Sequence, residues 1–478
     1  MLFNSLEFFI FFPIVFFLYW ALGKNLKVQN LLILLVSYFF YGWWDWRFLS
    51  LIFFSSITDY YIAKWIANTE VEKQKSNFLW LSVFINIGLL AVFKYFNFFI
   101  DSFNDLVGVV GYESTWTFFN IILPIGISFY TFQTLSYVID VYNEKIEPTD
   151  DVVKFLAFVS FFPQLVAGPI ERASNLLPQF GKLKKFDTES AKVATKQIFW
   201  GFFKKVAIAD NCAYFSDAIF SNYETCSPLL LLVGGLLFVF QVYCDFSGYT
   251  DIAIGTAKLL GYNLLDNFRT PLFSRNMTEF WRRWHISLST WIRDYVFVPL
   301  NLVFRSFKRK SMVIASFISF TLFGFWHGPS WVMIVWGAVQ GIAIIVETYF
   351  RPYLQKQRKN NSIIYNFISW FLTFSFFTLT MILFRCETIL DFLQYMSQIF
   401  NSADFPKIPK EFLGFENYVR YIFLGFNLLL LLVLDWFNRN EVHSLHKLPI
   451  IKYVVYLYLL HEIIKNFFSE LSFIYFQF

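Results

Sequence analysis

Long apolar runs alternate with short polar and basic segments along nearly the whole chain. Runs long enough, or nearly long enough, to cross a bilayer occur at about 7–22, 29–46, 48–66, 78–100, 118–142, 152–170, 197–220, 228–262, 313–327, 330–350, 364–385, 419–436 and 449–467. Some of these runs are too short or too polar to span. The pattern predicts an all-α polytopic integral membrane protein with about eleven transmembrane helices plus re-entrant and interfacial amphipathic helices. No linker or repeat divides the chain, so we expect residues 1–478 to form a single integral-membrane domain.

Composition and charge agree with a membrane protein. Of the 478 residues, 57% are hydrophobic and only 15% are charged, which excludes an ordinary soluble globule. The net charge of +5 comes from Lys and Arg that lie between apolar runs, where they set topology and contact the lipid bilayer. We therefore expect no binding of nucleic acid. Lys24 and Lys27 follow the first run and no basic residue precedes it, which predicts that the N-terminus lies outside.

The segment 155–170 does not fit a simple series of crossings. Lys154 comes directly before this segment and Lys182 follows it, so the positive-inside rule assigns both of its ends to the cytoplasm. Pro163 and Gly168 can break a helix between these ends. We expect a re-entrant hairpin, because broken helices are tolerated at membrane depth where they line a cavity.

His327 is the only basic side chain in the apolar run 311–350. Basic clusters at 305–310 and 351–359 bracket the run, so it should enter the membrane from the cytoplasm and return as a helical hairpin. The apex is predicted at 326–330, where Gly and Pro can break the helix. An ionisable group at this depth usually marks a proton, ion or substrate path. The alternative is a core histidine whose hydrogen bonds join two helices.

A second stretch, 280–295, has the periodicity of an amphipathic helix at the cytoplasmic interface. Its apolar stripe carries Trp281, His285, Leu288 and Ile292. Another face carries Arg282, Ser289 and Arg293. A simple interfacial anchor is the alternative. His285 on the apolar stripe favours a functional role, because an anchor has no need of a histidine there.

His285 and His327 are 42 residues apart, and we expect one near the cytoplasmic interface and the other deeper. A neutral imidazole can take the proton from a hydroxyl group while that oxygen attacks an acyl carbonyl. Burial favours the neutral form, so His327 should be available as a base at pH 7. The pair predicts acyl transfer along a path across the bilayer, without a serine or cysteine nucleophile. A proton-coupled transporter that uses both histidines as a relay is the alternative from another class.

The remaining polar residues of the apolar runs are predicted to be structural. Asp245 and Asp251 are six residues apart, a poor spacing for one metal or a carboxylate pair. Gly248 and Gly255 nearby favour close helix packing together with buried hydrogen bonding. Structural polar contacts are also expected of Asp59, Asp140 and the pair Glu171-Arg172, and a tunnel-lining role is the alternative. Interfacial positions are expected of His443, His446 and His461. The four cysteines have no metal-site spacing, and no metal is predicted.

Two motifs carry a family resemblance: RRWHISLSTWIRDYV at 282–296 and GFWHGPSW at 324–331. Together they resemble the membrane-bound O-acyltransferase (MBOAT) family, and within it the branch of the bacterial alginate O-acetylation membrane subunit. Further segments agree with that branch, namely PIGISFYTFQ at 124–133, FPQLVAGPIER at 162–172, DFSGYTDIAIG at 245–255, MLFNS at 1–5 and FIYFQF at 473–478. The resemblance covers essentially the whole chain.

The resemblance implies a catalytic role for His327 and makes His285 the second signature position. It implies that an acyl group is taken from a cytoplasmic thioester donor and passed through a transmembrane tunnel to the outer side. In the alginate-like branch the donor is acetyl-CoA, no cofactor stays bound, and an extracytoplasmic acetyltransferase partner completes transfer to a polysaccharide acceptor. The expected location is the bacterial cytoplasmic (inner) membrane. Candidate binding residues for the donor phosphates are Lys204, Lys205, Arg282, Arg283 and Arg293. The alternative for each is a solvated charge that follows the positive-inside rule.

The residues leave four alternatives to polysaccharide O-acetylation. Two keep the enzyme class and change the substrates: D-alanyl transfer from a carrier protein to teichoic acid, and acetyl transfer to peptidoglycan. A third is a catalytically inert scaffold for an external transferase. The transporter hypothesis lacks the inverted repeat and the paired intramembrane carboxylates that would support it.

Overall fold

The structure, a computed structural model, is mostly helical in the part of the chain that it describes. The described residues are 1–111, 121–166, 168–358, 363–400, 412–438, 451–467 and 473, and they contain no strand. The α-helices are α1 Leu6–Ala21, α2 Leu26–Asp45, α3 Leu49–Asn68, α4 Glu72–Leu90, α5 Phe96–Val109, α6 Ile127–Tyr142, α7 Val152–Ser160, α8 Phe162–Leu165, α9 Ala173–Leu176, α10 Thr188–Phe202, α11 Asp210–Ser221, α12 Pro228–Leu259, α13 Met277–Trp281, α14 Ile286–Ile292, α15 Val298–Val303, α16 Arg309–His327, α17 Trp331–Arg358, α18 Ile363–Arg385, α19 Ile389–Phe400, α20 Phe415–Asn438 and α21 Ile451–Asn466.

Six helical segments of the described residues are long and apolar enough to cross a membrane. They are Leu26–Asn68, Glu72–Val109, Pro228–Leu259, Trp331–Phe350, Ile363–Arg385 and Phe415–Phe437. Their exposed surfaces carry large apolar side chains, as lipid-facing helices require. These segments confirm a polytopic all-α membrane protein, and the count of about eleven spans stays a prediction.

The backbone contacts divide the chain into two compact units. One contains Met1–Thr195 and Ala253–Leu265, and the other contains Lys196–Ile252 and Asp266–Phe478. The expectation of a single integral domain stays a prediction.

In the first unit, buried carboxylates join neighbouring segments as the sequence predicted. Asp59 of α3 accepts hydrogen bonds from Ser82 Oγ (2.6 Å) and Asn86 Nδ2 (2.8 Å), both in α4. Glu171 accepts one from the backbone N–H of Leu265 at 2.6 Å. These bonds satisfy polar groups that burial would otherwise penalise, so both carboxylates have structural partners.

The segment predicted to be re-entrant is a broken helix. α7 has nine residues and α8 has four, and the chain bends between them at Phe161. Neither helix reaches the length of a span. Gly126, with φ at 77°, packs where a Cβ atom would lie 2.8 Å from the carbonyl oxygen of Leu165. Only glycine allows this close approach in the left-handed region.

In the second unit, α16 and α17 form the predicted hairpin, and the chain turns between His327 and Trp331. The two helices cross at glycines. A Cβ atom on Gly324 would collide with the carbonyl oxygen of Met333 and would lie 2.8 Å from the Cα of Gly337. Since the obstructing atoms belong to backbone, no rotamer change can make room for a side chain.

Gly324→Ala should therefore separate α16 from α17 and destabilise the protein by about 3 kcal/mol, the upper end for overpacking. The measurement is the unfolding midpoint of the purified protein in detergent. Gly425→Ala in α20 is the matched control, because nothing lies within 4 Å of the added Cβ atom. Equal midpoints for the two variants would show that the glycine contact does not hold the hairpin.

Candidate active site

His327 ends α16 and lies in an aromatic enclosure. Its side chain is buried, with 6% of the residue exposed. The centroid of the imidazole lies 4.9 Å from that of Phe323, 5.5 Å from Trp336 and 5.8 Å from Phe384. The hairpin thus places His327 at its buried apex, as the sequence predicted.

His285 lies in a turn between two short helices, so the prediction of one continuous helix over 280–295 is wrong. α13 ends at Trp281, and α14 begins only at Ile286. His285 between them has φ 44° and ψ 52°, in the left-handed region. A non-glycine residue in this region costs about 1–3 kcal/mol and persists only where its surroundings hold it. The burial of the predicted apolar stripe is nevertheless correct, because Trp281, His285, Leu288 and Ile292 are all buried.

Asn267 stabilises the turn between α13 and α14 through hydrogen bonds. The backbone N–H of Ile286 donates to the carbonyl oxygen of Asn267 at 2.9 Å. His285 Nδ1 lies 3.0 Å from Asn267 Oδ1. Asn267 carries no signal in the sequence, since a single asparagine 18 residues before His285 belongs to no motif.

The two histidines lie side by side. Their ring centroids are 6.2 Å apart. The ring centroid of Trp326 lies 6.0 Å from that of His285 and 5.0 Å from that of His327. The two rings are therefore close enough to belong to one site, and the expectation that one lies deeper in the membrane than the other stays a prediction. Burial lowers the pKa of His285 to about 3, so this imidazole is neutral at pH 7.

A groove of about 1180 Å³ opens beside α13, between α17 and α18. Four arginines line it, and two of them, Arg282 and Arg283, are predicted donor-binding residues. Arg282 is exposed and makes no ion pair with a described residue, whereas Arg283 pairs with Glu279 at 3.2 Å. The wall on α17 and α18 is mainly apolar. The groove thus combines guanidinium groups suited to phosphate with an apolar surface.

Arg293 does not line this groove. Its side chain is 61% exposed, and its Nε lies 2.7 Å from a carboxylate oxygen of Asp294. These surroundings do not support the prediction that Arg293 binds donor phosphate. Of the three C-terminal histidines, His443 and His446 lie outside the described residues, and His461 in α21 is exposed.

Lys204 and Lys205 are buried among carboxylates, so they do not face solvent as phosphate-binding residues would. Lys204 Nζ lies 2.6 Å from Asp251 Oδ2. Lys205 Nζ lies 2.8 Å from Asp210 Oδ1 and equally near Asp245 Oδ1. Burying these ammonium groups without such partners would cost several kcal/mol each. Their role in donor binding has no support from these contacts.

The same ion pairs support one wall of the histidine site. Asp245 precedes Phe246, whose ring packs edge-on against His285 with centroids 4.7 Å apart. Gly248 lies two residues after Phe246 in α12. A Cβ atom on Gly248 would lie 2.7 Å from the carbonyl oxygen of Gly201. The predicted combination of close glycine packing and buried polar bonding around Gly248 is confirmed.

Both histidine motifs lie within the part of the chain that matches a known protein family. A model of the membrane-bound O-acyltransferase family matches residues 38–385. The chain is 36% identical over 395 residues to a probable alginate O-acetylase of Pseudomonas putida, covering 81% of this chain and 78% of that protein. It is 33% identical over 453 residues to a peptidoglycan O-acetyltransferase of Helicobacter pylori, covering 88% and 84%.

A more distant similarity connects the chain to a third activity. It is 30% identical over 252 residues to a teichoic acid D-alanyltransferase of Streptococcus thermophilus, covering 50% of this chain and 59% of that protein. All three relatives carry acyl-transfer names, and none supports a transporter. The chain therefore belongs to the membrane-bound O-acyltransferase family and is a multi-pass membrane O-acyltransferase.

Proposed function

We propose that the protein takes an acetyl group from cytoplasmic acetyl-CoA and passes it across the bacterial inner membrane for O-acetylation of an exported cell-surface polysaccharide. The observation that carries this proposal is the pair of buried imidazoles, His285 and His327, 6.2 Å apart inside an aromatic enclosure. One substrate oxygen between such rings can contact both. The low dielectric of the enclosure strengthens each polar interaction made there.

His327 acts as the general base in this proposal. It takes the proton from the acceptor hydroxyl as the oxygen attacks the thioester carbonyl, a C–O bond forms and the C–S bond breaks. The proton then passes to the departing thiolate, which leaves as free coenzyme A thiol. His285 lies near enough to position the thioester or to carry that proton between the two substrates. The reaction needs no serine or cysteine nucleophile and therefore no acyl-enzyme intermediate.

The groove of Arg282 and Arg283 is proposed as the donor entrance, at the cytoplasmic end of the hairpin. From there α17 presents a stripe toward the histidines, because residues at spacings of three and four share a helix face. Glu347 and Ala343 line the groove, Gln340 follows, and Trp336 contacts His327. Gln340 is fully buried, and neither its Nε2 nor its Oε1 has a hydrogen-bond partner among the described residues. An amide so placed suits the polar arm of a thioester donor in a transmembrane tunnel.

Arg282→Gln should raise the KM for acetyl-CoA about tenfold, because a hydrogen bond to a charged phosphate is worth about 1.5–3 kcal/mol. The kcat should change little, since the phosphates bind far from the reacting carbonyl. Arg305→Gln, an exposed arginine outside the groove, is the matched control. The assay is transfer of labelled acetyl from acetyl-CoA into polysaccharide by inverted membrane vesicles of the host. An equal KM for the two variants would reject the groove as the donor site.

The acceptor and the partner rest on the relatives. The alginate O-acetylase supports a polysaccharide hydroxyl as the acceptor, and an extracytoplasmic acetyltransferase is proposed to complete the transfer outside. A second candidate is peptidoglycan O-acetylation, favoured by the relative that covers 88% of this chain. D-alanyl transfer is supported over 50% of the chain only.

The same vesicle assay separates these candidates. Labelled acetyl in exopolysaccharide supports the proposal, and labelled acetyl in peptidoglycan supports the second candidate. If no label from acetyl-CoA enters either polymer, whereas labelled D-alanine from a carrier protein enters teichoic acid, then D-alanine replaces acetyl as the transferred group. The N-terminus is proposed to lie outside, which accessibility labelling of a cysteine placed next to Met1 would test.

A further inference from the structure

The side-chain oxygen of Asn267 lies within hydrogen-bond distance of three polar groups in the turn that contains His285. Asn267 Oδ1 lies 3.0 Å from His285 Nδ1, 2.9 Å from Ser287 Oγ and 3.3 Å from the backbone N of Ser287. Asn267 is 1% exposed and His285 is fully buried, so water does not compete for these contacts. The arrangement fixes which of the two ring nitrogens carries the proton.

The backbone N–H of Ser287 can only donate, so the side-chain atom that it contacts must be the carbonyl oxygen of Asn267. That oxygen can only accept. His285 Nδ1, which contacts the same oxygen, must therefore carry a hydrogen and donate it. A neutral imidazole has one N–H, so His285 Nε2 keeps its lone pair.

We propose that Asn267 is a positioning residue that holds His285 as the Nδ1-protonated tautomer and so presents Nε2 as a proton acceptor during acyl transfer. The consequence for catalysis rests on the function proposed above, whereas the tautomer itself does not. Asn267 also holds the backbone, because its carbonyl oxygen accepts from the N–H of Ile286 at 2.9 Å. One residue thus fixes both the orientation of the imidazole and the left-handed turn beneath it.

The choice of an amide has a chemical consequence. The other tautomer would present an N–H at Nε2 and could not accept a proton there. A carboxylate at position 267 would fix the same tautomer, but it would add a negative charge to the buried site and favour a charged imidazolium. The neutral amide orders the ring and leaves it uncharged beside His327.

The tautomer is measured directly by nitrogen NMR of the full-length protein with ¹⁵N-labelled histidine in lipid nanodiscs. Protonated and unprotonated ring nitrogens resonate apart, and the chain has only five histidines. His285→Gln identifies the resonances of His285 by their loss. The wild type should show a protonated Nδ1 and an unprotonated Nε2 for His285. A protonated Nε2 in the folded wild type would overturn the proposal, whatever reaction the protein catalyses.

Asn267→Leu removes the acceptor and should release the tautomer, with both forms or the Nε2-protonated form present. The kcat for acetyl transfer should fall about tenfold to a hundredfold, as is typical for loss of a partner that orients a functional histidine, while the KM for acetyl-CoA changes little. Asn267→Asp keeps an oxygen acceptor, so Nδ1 should stay protonated. The carboxylate raises the pKa of the imidazole, so this variant should retain more activity than the leucine variant at pH values above that raised pKa. Ser287→Ala, which removes a different bond to the same oxygen, should leave the tautomer unchanged.

Two results separate the positional role from a merely structural one. Loss of activity in Asn267→Leu with the wild-type tautomer retained would overturn the proposal and assign Asn267 to the backbone turn alone. An unchanged kcat after a demonstrated change of tautomer would leave the tautomer assignment standing and would count against the proposed role of His285 in the reaction.

Discussion

His327→Ala should lower acyl transfer by at least about a hundredfold, because a positioned general base contributes about 10²–10⁴-fold. The expectation follows from the site, since the imidazole is buried among Phe323, Trp336 and Phe384 and lies next to His285. Alanine removes the proton acceptor but leaves the hairpin glycines in place. The measurement is acetyl transfer from acetyl-CoA by inverted vesicles, at matched protein abundance.

The control for this variant is His461→Ala, which removes an exposed imidazole elsewhere in the same unit. Its activity should equal that of the wild type. The alternative role for His327, a core histidine that joins two helices, predicts a lower unfolding midpoint as the cause of any lost activity. A folded His327→Ala protein that still transfers acetyl at the wild-type rate would remove His327 from the mechanism.

Lys205→Met should destabilise the protein by about 3–5 kcal/mol, the usual cost of breaking a buried ion pair by removing one partner. Lys205 is 1% exposed and lies between the carboxylates of Asp210 and Asp245. Methionine fills the volume but leaves both negative charges buried without this cation. The measurement is the free energy of unfolding of the purified protein in detergent.

Lys192→Met is the matched control, because Lys192 pairs with Glu189 in an exposed position of α10. An exposed pair contributes little to stability, so this variant should unfold like the wild type. The sequence-based prediction that Lys205 binds donor phosphate leads to a different result for Lys205→Met. If this lysine bound donor phosphate, its loss would raise the KM for acetyl-CoA and leave the free energy of unfolding unchanged.

The hairpin could be predicted from the sequence because its determinants are local. A single histidine in a long apolar run, Gly328 and Pro329 at its centre and basic clusters at its ends are all visible in the chain. The membrane requires such a run to be helical, so few structures were possible. The structure accordingly has α16 and α17 on either side of this apex.

The surroundings of His285 could not be predicted in the same way. Helical periodicity identified the buried stripe correctly, but the same side chains are buried whether the helix is continuous or broken at a left-handed residue. The break depends on hydrogen bonds from Asn267, which no spacing rule connects to His285. Tertiary contacts here override the local helical preference.

The lysines show a third limit of sequence analysis. Lys204 and Lys205 look like cytoplasmic basic residues, because a pair of lysines next to an apolar run is typical of the positive-inside pattern. Their partners Asp245 and Asp251 lie more than thirty-nine residues further along, where the local spacing predicts only helix packing. Local patterns do not connect the lysines with these carboxylates, whereas burial requires the charges to pair.

The central claim is that His327 catalyses acetylation of an exported polysaccharide, and the most direct test is the O-acetyl content of the host's surface polysaccharide. Proton NMR would compare the wild type with His327→Ala at matched membrane abundance, in cells without another acetylation system. The account predicts that the acetyl resonances disappear in the variant and persist in His461→Ala. Retained acetylation in a folded, membrane-inserted His327→Ala protein would contradict it.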